Sequence, residues 1–184
     1  YGCGTGRNLW RYKNNFDYLR GVDISQSALK KAKKTICNNW LSTRHLDVKK
    51  VENSVIPYRD RVFDMVFSVL TFQLISPFNV RSDIFSECHR VLQPNGWFCF
   101  QMGYGNKDNR FGEEYNSTSG YWENHFDRTE FDGHFDVRVD SEDDIYKHLT
   151  DLGFHNIDIQ FTESGIGEGF DKWIWVHAQK REDV

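Results

Sequence analysis

Nothing in this 184-residue chain could cross a bilayer as a helix, because no apolar run approaches the ~20 residues such a span needs. Its start also lacks the basic-then-apolar pattern of a secretion signal. Cysteine is sparse. The four thiols, Cys3, Cys37, Cys88 and Cys99, form no CxxC pair and suggest no disulfide framework, which favours reduced thiols in a cytoplasmic protein. With a net charge of -4 there is no general positive field to neutralise phosphates, so a nucleic-acid substrate is disfavoured. None of the three prolines, Pro57, Pro77 and Pro94, precedes a cysteine, which removes the Pro-Cys nucleophile of cytosine-C5 chemistry. No His/Cys/carboxylate cluster has metal-ligand spacing; His125 and His134 read as surface residues. What the chain does have is aromatic side chains, 16% of it, against an ordinary 39% hydrophobic and 27% charged. The length suits one domain over residues 1–184.

Strand and helix patterns alternate along the chain. Residues 7–16 can form a helix after a glycine cluster, and Tyr18 to Asp23 then reads as a strand ending in an acid. Ser25 is an N-cap for a helix in which Leu29, Ala32 and Ile36 recur at helical spacing while Lys30, Lys31, Lys33 and Lys34 face solvent. A short strand around Leu46 closes on Asp47. The nearly continuous apolar run Val62–Leu70 predicts a central parallel strand buried on both faces. A helix over about 80–92, a turn at Pro94-Asn95-Gly96 and a strand over 97–102 follow. Residues 104–140 break the rhythm, with no sustained period and many aromatic and acidic residues. Ser141 then caps a helix that Gly153 stops, and strands follow at 157–161 and 173–178. This order argues for a parallel sheet with helices on both faces.

The stretch Tyr1-Gly2-Cys3-Gly4-Thr5-Gly6 is a tight glycine loop opening into a helix, where a ligand can approach the backbone closely. A dinucleotide fingerprint spaces its glycines G-x-G-x-x-G; here the third comes one residue early, at Gly6, which argues against a pyrophosphate ligand and a nucleotide-dependent oxidoreductase. Asp23, at the end of the next strand, can accept two hydrogen bonds from ribose hydroxyls. Asp47 can accept from an adenine amino group; taken singly, it is as readily a turn or cap residue.

Together, Gly2 to Gly6, Gly21-Val22-Asp23-Ile24-Ser25 and Glu87-Cys88-His89-Arg90-Val91-Leu92-Gln93-Pro94-Asn95-Gly96 resemble the class I, Rossmann-like S-adenosylmethionine-dependent methyltransferases, of the small-molecule type 11 kind. Pro57-Tyr58 and Phe63-Asp64-Met65-Val66 match a further segment. The resemblance implies an α/β fold with a doubly wound seven-stranded sheet, order 3-2-1-4-5-7-6, the last strand antiparallel and the first largely missing from this chain. It also implies S-adenosylmethionine as cofactor and a small-molecule substrate. Carried over by position, Gly2, Cys3 and Gly4 would line the methionine part, Asp23 would hold the ribose and Ile24 would cover the adenine. Asp47 and Val48 would flank the adenine edge, and Ser68 would sit beside the ribose and sulfonium.

At Gln73 many relatives carry histidine, so a catalytic base is unsupported there. Alignment and desolvation can suffice, because the sulfonium is already an excellent leaving group. Gln73 and Tyr104 are the candidate catalytic residues, and Gln73 could equally orient a substrate or serve the loop's structure. In the 104–140 segment, aromatics such as Tyr115, Tyr121, Trp122 and Phe126 interleave with Glu113, Glu114, Glu123 and Asp127, a lining that suits a cationic amine. A satellite core with solvated acids is the plainer account of the same residues. The competing functional reading is a methyltransferase-like protein without catalysis that serves as a binding or regulatory partner. Oligomeric state cannot be read from the sequence.

Overall fold

The computed structural model describes residues 1–38, 45–75, 77–104, 113–116, 121–124, 138–139, 141–163 and 172–182. They fall into two compact units, Tyr1–Tyr58 and Arg59–Val184.

The first unit runs α1 (Arg7–Tyr12), β1 (Leu19–Asp23), α2 (Gln26–Asn38) and β2 (Leu46–Lys50). Ser25 caps α2 as expected, its Oγ accepting from the Ala28 N–H at 3.2 Å. Helical spacing then buries Leu29, Ala32 and Ile36 against Leu9, Leu19, Leu46 and Val48, leaving the four lysines in water. Each leucine, isoleucine or valine so buried contributes about 1.5–3 kcal/mol before entropy is counted. β1 and β2 pair in parallel, with Gly21 opposite Val48. Helix α1 is shorter than the expected 7–16 and ends at Tyr12, where the Asn15 N–H turns back to the Tyr12 carbonyl. Asparagines at 14 and 15 favour such turns over helix.

The second unit contains β3 (Phe63–Ser68), a single 3-10 turn (Phe72–Leu74), α3 (Phe78–Val91), β4 (Leu92–Tyr104), β5 (Glu113–Asn116), β6 (Tyr121–Asn124), β7 (Arg138–Val139), α4 (Glu142–Asp151), β8 (Phe154–Glu163) and β9 (Lys172–Lys180). The sheet order is β5-β6-β7-β4-β9-β8, with β3 parallel to β4 as well. β9 runs antiparallel to both β4 and β8. The described strands form a two-stranded and a seven-stranded sheet, the larger one mixed as expected. Two expectations change. The 104–140 segment carries short strands, because β7 finds a distant partner in Gly103 and Tyr104 that no local period reveals. And β3 is not buried on both faces: Ser68 is its one buried residue, whereas β4 and β9 occupy the sheet centre.

Many of the aromatics are in the core. Phe72, Phe85, Phe98, Phe100 and Phe154 are fully buried. Phe85 of α3 lies 4.8 Å from Phe72, 5.1 Å from Phe98 and 4.9 Å from Phe100, between ring centroids. Most of these contacts are edge-on or tilted, as ring quadrupoles prefer. Buried Lys180 caps the other end of α3, its ammonium donating to the His89 and Leu92 carbonyls at 2.9 Å each.

His148 of α4 stacks on Phe85 at 5.2 Å and meets Ser82 Oγ at 3.2 Å. Burial, then the Arg81 charge, lowers its pKa from 6.5 to about 4. The folded protein therefore keeps this imidazole neutral where the unfolded chain would protonate it, so stability is undiminished above about pH 6.5 and falls as pH drops toward 4. The span is worth roughly 3 kcal/mol. Urea unfolding at about pH 7 and pH 4.5 should show this loss, and His148→Leu should shrink it; an equal loss in the variant would place the acid sensitivity elsewhere.

Candidate functional site in two parts

In the first unit the glycine loop folds back on the strand it precedes. The Cys3 N–H donates to the Val22 carbonyl at 3.0 Å, and the Gly6 N–H to the Cys3 carbonyl at 2.9 Å. Gly4 has φ +51°, a left-handed conformation that disfavours side chains, and a Cβ there would meet nothing within 4 Å. The loop thus presents bare backbone to open space. Gly21 answers a different demand: a Cβ on β1 at that point would come within 2.7 Å of Leu9 Cδ1 and 2.9 Å of Cys3 Sγ. Its absence lets loop and helix lie flat on the strand.

Asp23 ties these parts together. One carboxylate oxygen accepts from the Gly4 N–H and the other from the Ser25 N–H, both at 2.8 Å. The carboxylate therefore braces the glycine loop against the start of α2, and each oxygen keeps a lone pair for a further donor. Beside it Ile24 is 68% exposed, an apolar side chain free to cover a flat ring. Cys3 is no nucleophile: burial first, then the Asp23 charge, pushes its thiol up to about 11.

Across the β1–β2 pair, Asp47 is half-buried and register-paired with Arg20. Val48 differs from its neighbour, for its side chain belongs to the unit's core and leaves only backbone to face a ligand. Sequence reasoning assigned no role to Tyr58, whose ring the Lys49 ammonium covers at 4.2 Å. Burial and the Asp47 charge push the Tyr58 pKa well upward, which keeps its hydroxyl a proton donor. No local pattern signals this group, because Lys49, Tyr58 and Asp47 meet only through the fold.

In the second unit Ser68 ends β3 and is 1% exposed, with no hydrogen-bond partner for its hydroxyl among the described residues. Gln73 lies on the 3-10 turn, 4% exposed, its Oε1 likewise without a partner among them. Tyr104 stands apart. It is four residues beyond Phe100, the register partner of Ser68, or about 13 Å along the strand, and its ring packs edge-on against Phe161 at 5.0 Å. The side chains of residues 105–138, including those of the aromatic-acidic set, lie outside the described residues. Among the described residues no group of three or more His, Cys, Asp or Glu could hold a metal ion, and no helix is long and apolar enough to cross a membrane.

A glycine loop braced by an acid at the end of the following strand is the arrangement with which doubly wound α/β proteins approach a nucleotide. Residues 1–100 match the family model described as a methyltransferase domain, and the chain belongs to that family, the class I S-adenosylmethionine-dependent methyltransferases of type 11. Among solved structures it is similar to an S-adenosylmethionine-dependent methyltransferase from Methanosarcina mazei, at 21% identity and TM-score 0.76, over 99% of this chain and 91% of that one. The cyclase SpnF matches at 17% identity and TM-score 0.70, over 99% of this chain and 74% of that one. Phosphoethanolamine N-methyltransferase 2 from Haemonchus contortus, in complex with phosphomonomethylethanolamine and S-adenosylhomocysteine, matches at 16% identity and TM-score 0.71, over 98% of this chain and 48% of that one. A comparison with curated proteins found no match. At these identities the structural likenesses establish the fold.

Proposed function

We propose that this protein transfers a methyl group from S-adenosylmethionine to a small-molecule amine in the cytoplasm. The observation that carries the cofactor reading is Asp23, whose carboxylate fixes the glycine loop while retaining acceptor capacity beside open backbone and an exposed isoleucine. Gly2, Cys3 and Gly4 would take the methionine part, Asp23 the ribose hydroxyls, and Ile24 with Asp47 the adenine. For Ser68, family position is the sole support for a role beside the ribose and sulfonium.

Held by Gly2, Cys3, Gly4 and Asp23, the cofactor would supply an electrophilic methyl group for the amine nitrogen. The protein's share is alignment and exclusion of water, for which no strong base is required. The amine acceptor draws support from the N-methyltransferase among the fold relatives. A second reading is favoured by two observations, the carboxamide at Gln73 in place of a base and a cyclase on the same fold: a protein that keeps the cofactor site without methyl transfer. Calorimetric titration with S-adenosylmethionine and S-adenosylhomocysteine, with NADH as control, tests the cofactor. Binding of the adenosyl ligands alone is expected, and its absence in a folded protein would reject the enzyme. Turnover of radiolabelled methyl groups then separates the two readings.

A further inference from the structure

We propose that the outward faces of α1 and α2 bind a single-stranded nucleic acid, their cations taking its phosphates and Trp10 stacking on a base. The surface lies wholly within the first unit and does not depend on the methyl-transfer reading.

The net charge of -4 conceals a division. Residues 1–58 hold eleven lysines and arginines against four acids, a net +7, whereas residues 59–184 hold twelve against twenty-three, a net -11. A chain that is acidic as a whole thus carries one strongly basic unit, and a local field of that sign draws polyanions.

Within the unit the cations are concentrated on one side. Helix α2 contains four lysines and no acid. Lys30, Lys31 and Lys34 stand opposite the buried Leu29, Ala32 and Ile36, with Lys33 on the flank, and all four are exposed. Helix α1 has no acid either, and its exposed Arg7 and Arg11 lie one turn apart on the side opposite buried Leu9. Leu9 shares a core with the buried stripe of α2, and a Cβ on Gly6 would come within 3.2 Å of Ala32 Cβ. The two helices therefore lie side by side, and their outward faces adjoin.

Lysines three and four apart on a helix repel, so α2 is destabilised until an anion intervenes. The described residues supply none. Lys50 pairs with Glu52, and in the second unit Arg90 pairs with Glu87 and Asp60 and Lys147 with Asp151, but among the described residues no carboxylate pairs with a lysine of α2.

The rings decide which polyanion fits. Trp10, Tyr12 and Tyr18 are exposed, and each has a cation over its ring, Lys13 at 4.1 Å, Arg11 at 5.6 Å and Arg20 at 5.8 Å. Aromatic faces set beside positive charge are what unpaired bases and their phosphates require, and a duplex would leave the rings without a base to stack on. A bilayer would demand apolar side chains to insert, and α2 exposes no large one.

Fluorescence anisotropy of a labelled, mixed-sequence single-stranded oligonucleotide, titrated with the full chain at several salt concentrations, tests this. If Arg7, Arg11, Lys30, Lys31 and Lys34 each take a phosphate, log affinity should fall with log salt at a slope of about -3.5, roughly a hundredfold loss between about 50 and about 200 mM. Lys30→Gln and Lys34→Gln in one chain should flatten that slope by about 1.4. Trp10→Ala should weaken binding about tenfold and leave the slope unchanged, a split that charge alone would not produce. Circular dichroism establishes that each variant keeps its fold, and Trp10→Leu takes the place of the alanine variant should that one not fold. No binding at about 50 mM salt, or binding that the double lysine variant leaves unchanged, would overturn the proposal. So would equal binding of polyglutamate or of phosphatidylserine vesicles, which would assign the face to polyanions at large or to a lipid surface. Self-association that salt abolishes, without oligonucleotide binding, would overturn it likewise and assign the face to a second copy of this chain.

Discussion

Asp23→Ala is expected to weaken S-adenosylhomocysteine binding by about two orders of magnitude, because hydrogen bonds to a charged acceptor contribute roughly 1.5–3 kcal/mol each and a ribose offers two hydroxyls. The loss has a second source in the protein. Without the carboxylate, the Gly4 and Ser25 N–H groups lose their 2.8 Å partner, so the loop must be ordered by the ligand at the ligand's expense. Asp23→Asn sharpens the test. One end of an asparagine amide can accept, but its NH2 would face the N–H of Gly4 or of Ser25, donor against donor. Asparagine should therefore bind nearly as poorly as alanine. Calorimetry on each variant, with circular dichroism to establish that the fold persists, decides the matter; unchanged affinity in Asp23→Ala would place the cofactor elsewhere.

The largest stability loss is expected from Phe85→Ala, about 3–5 kcal/mol, because the ring is fully buried and the cavity left behind cannot collapse. Phe72, Phe98, Phe100 and His148 all have ring centroids within 5.2 Å of it. Rings already braced by the sheet and by α4 have little freedom to move into the space. A loss of this size is a large fraction of the stability of an ordinary domain and should lower the Tm by roughly 10 °C. Phe85→Leu should retain most of that stability. If alanine and leucine cost the same, shape complementarity among the rings, rather than volume, is what holds this core together.

The parts of the site that could be read from the sequence are those governed by neighbours along the chain. Ser25 before α2 and Ser141 before α4 cap their helices through the N–H groups of Ala28 and Asp143, contacts within a few residues that a local pattern encodes. The spacing of Leu29, Ala32 and Ile36 defined a buried face for the same reason. The glycine loop and Asp23 were recognisable because their residue types are demanded by backbone conformation and by hydrogen-bonding capacity. What Asp23 touches is another matter: its bond to Gly4 spans nineteen residues and exists only once β1 lies under the loop.

Tertiary structure decided everything that depends on distant chain segments meeting. It made Gly21 a packing requirement against Leu9 and Cys3, and it placed the side chain of Val48 in the core. Tyr104 was turned toward Phe161, and β7 was formed against the end of β4. Gln101 carries no local signal at all, since a glutamine in an apolar strand reads as an ordinary alternation. Its burial depends on the strands that flank β4, and so on long-range pairing. The sequence by itself determined the family, the glycine loop and the helix boundaries set by local caps; the fold alone decided which polar groups face one another, because those contacts close over spans that no short-range periodicity records.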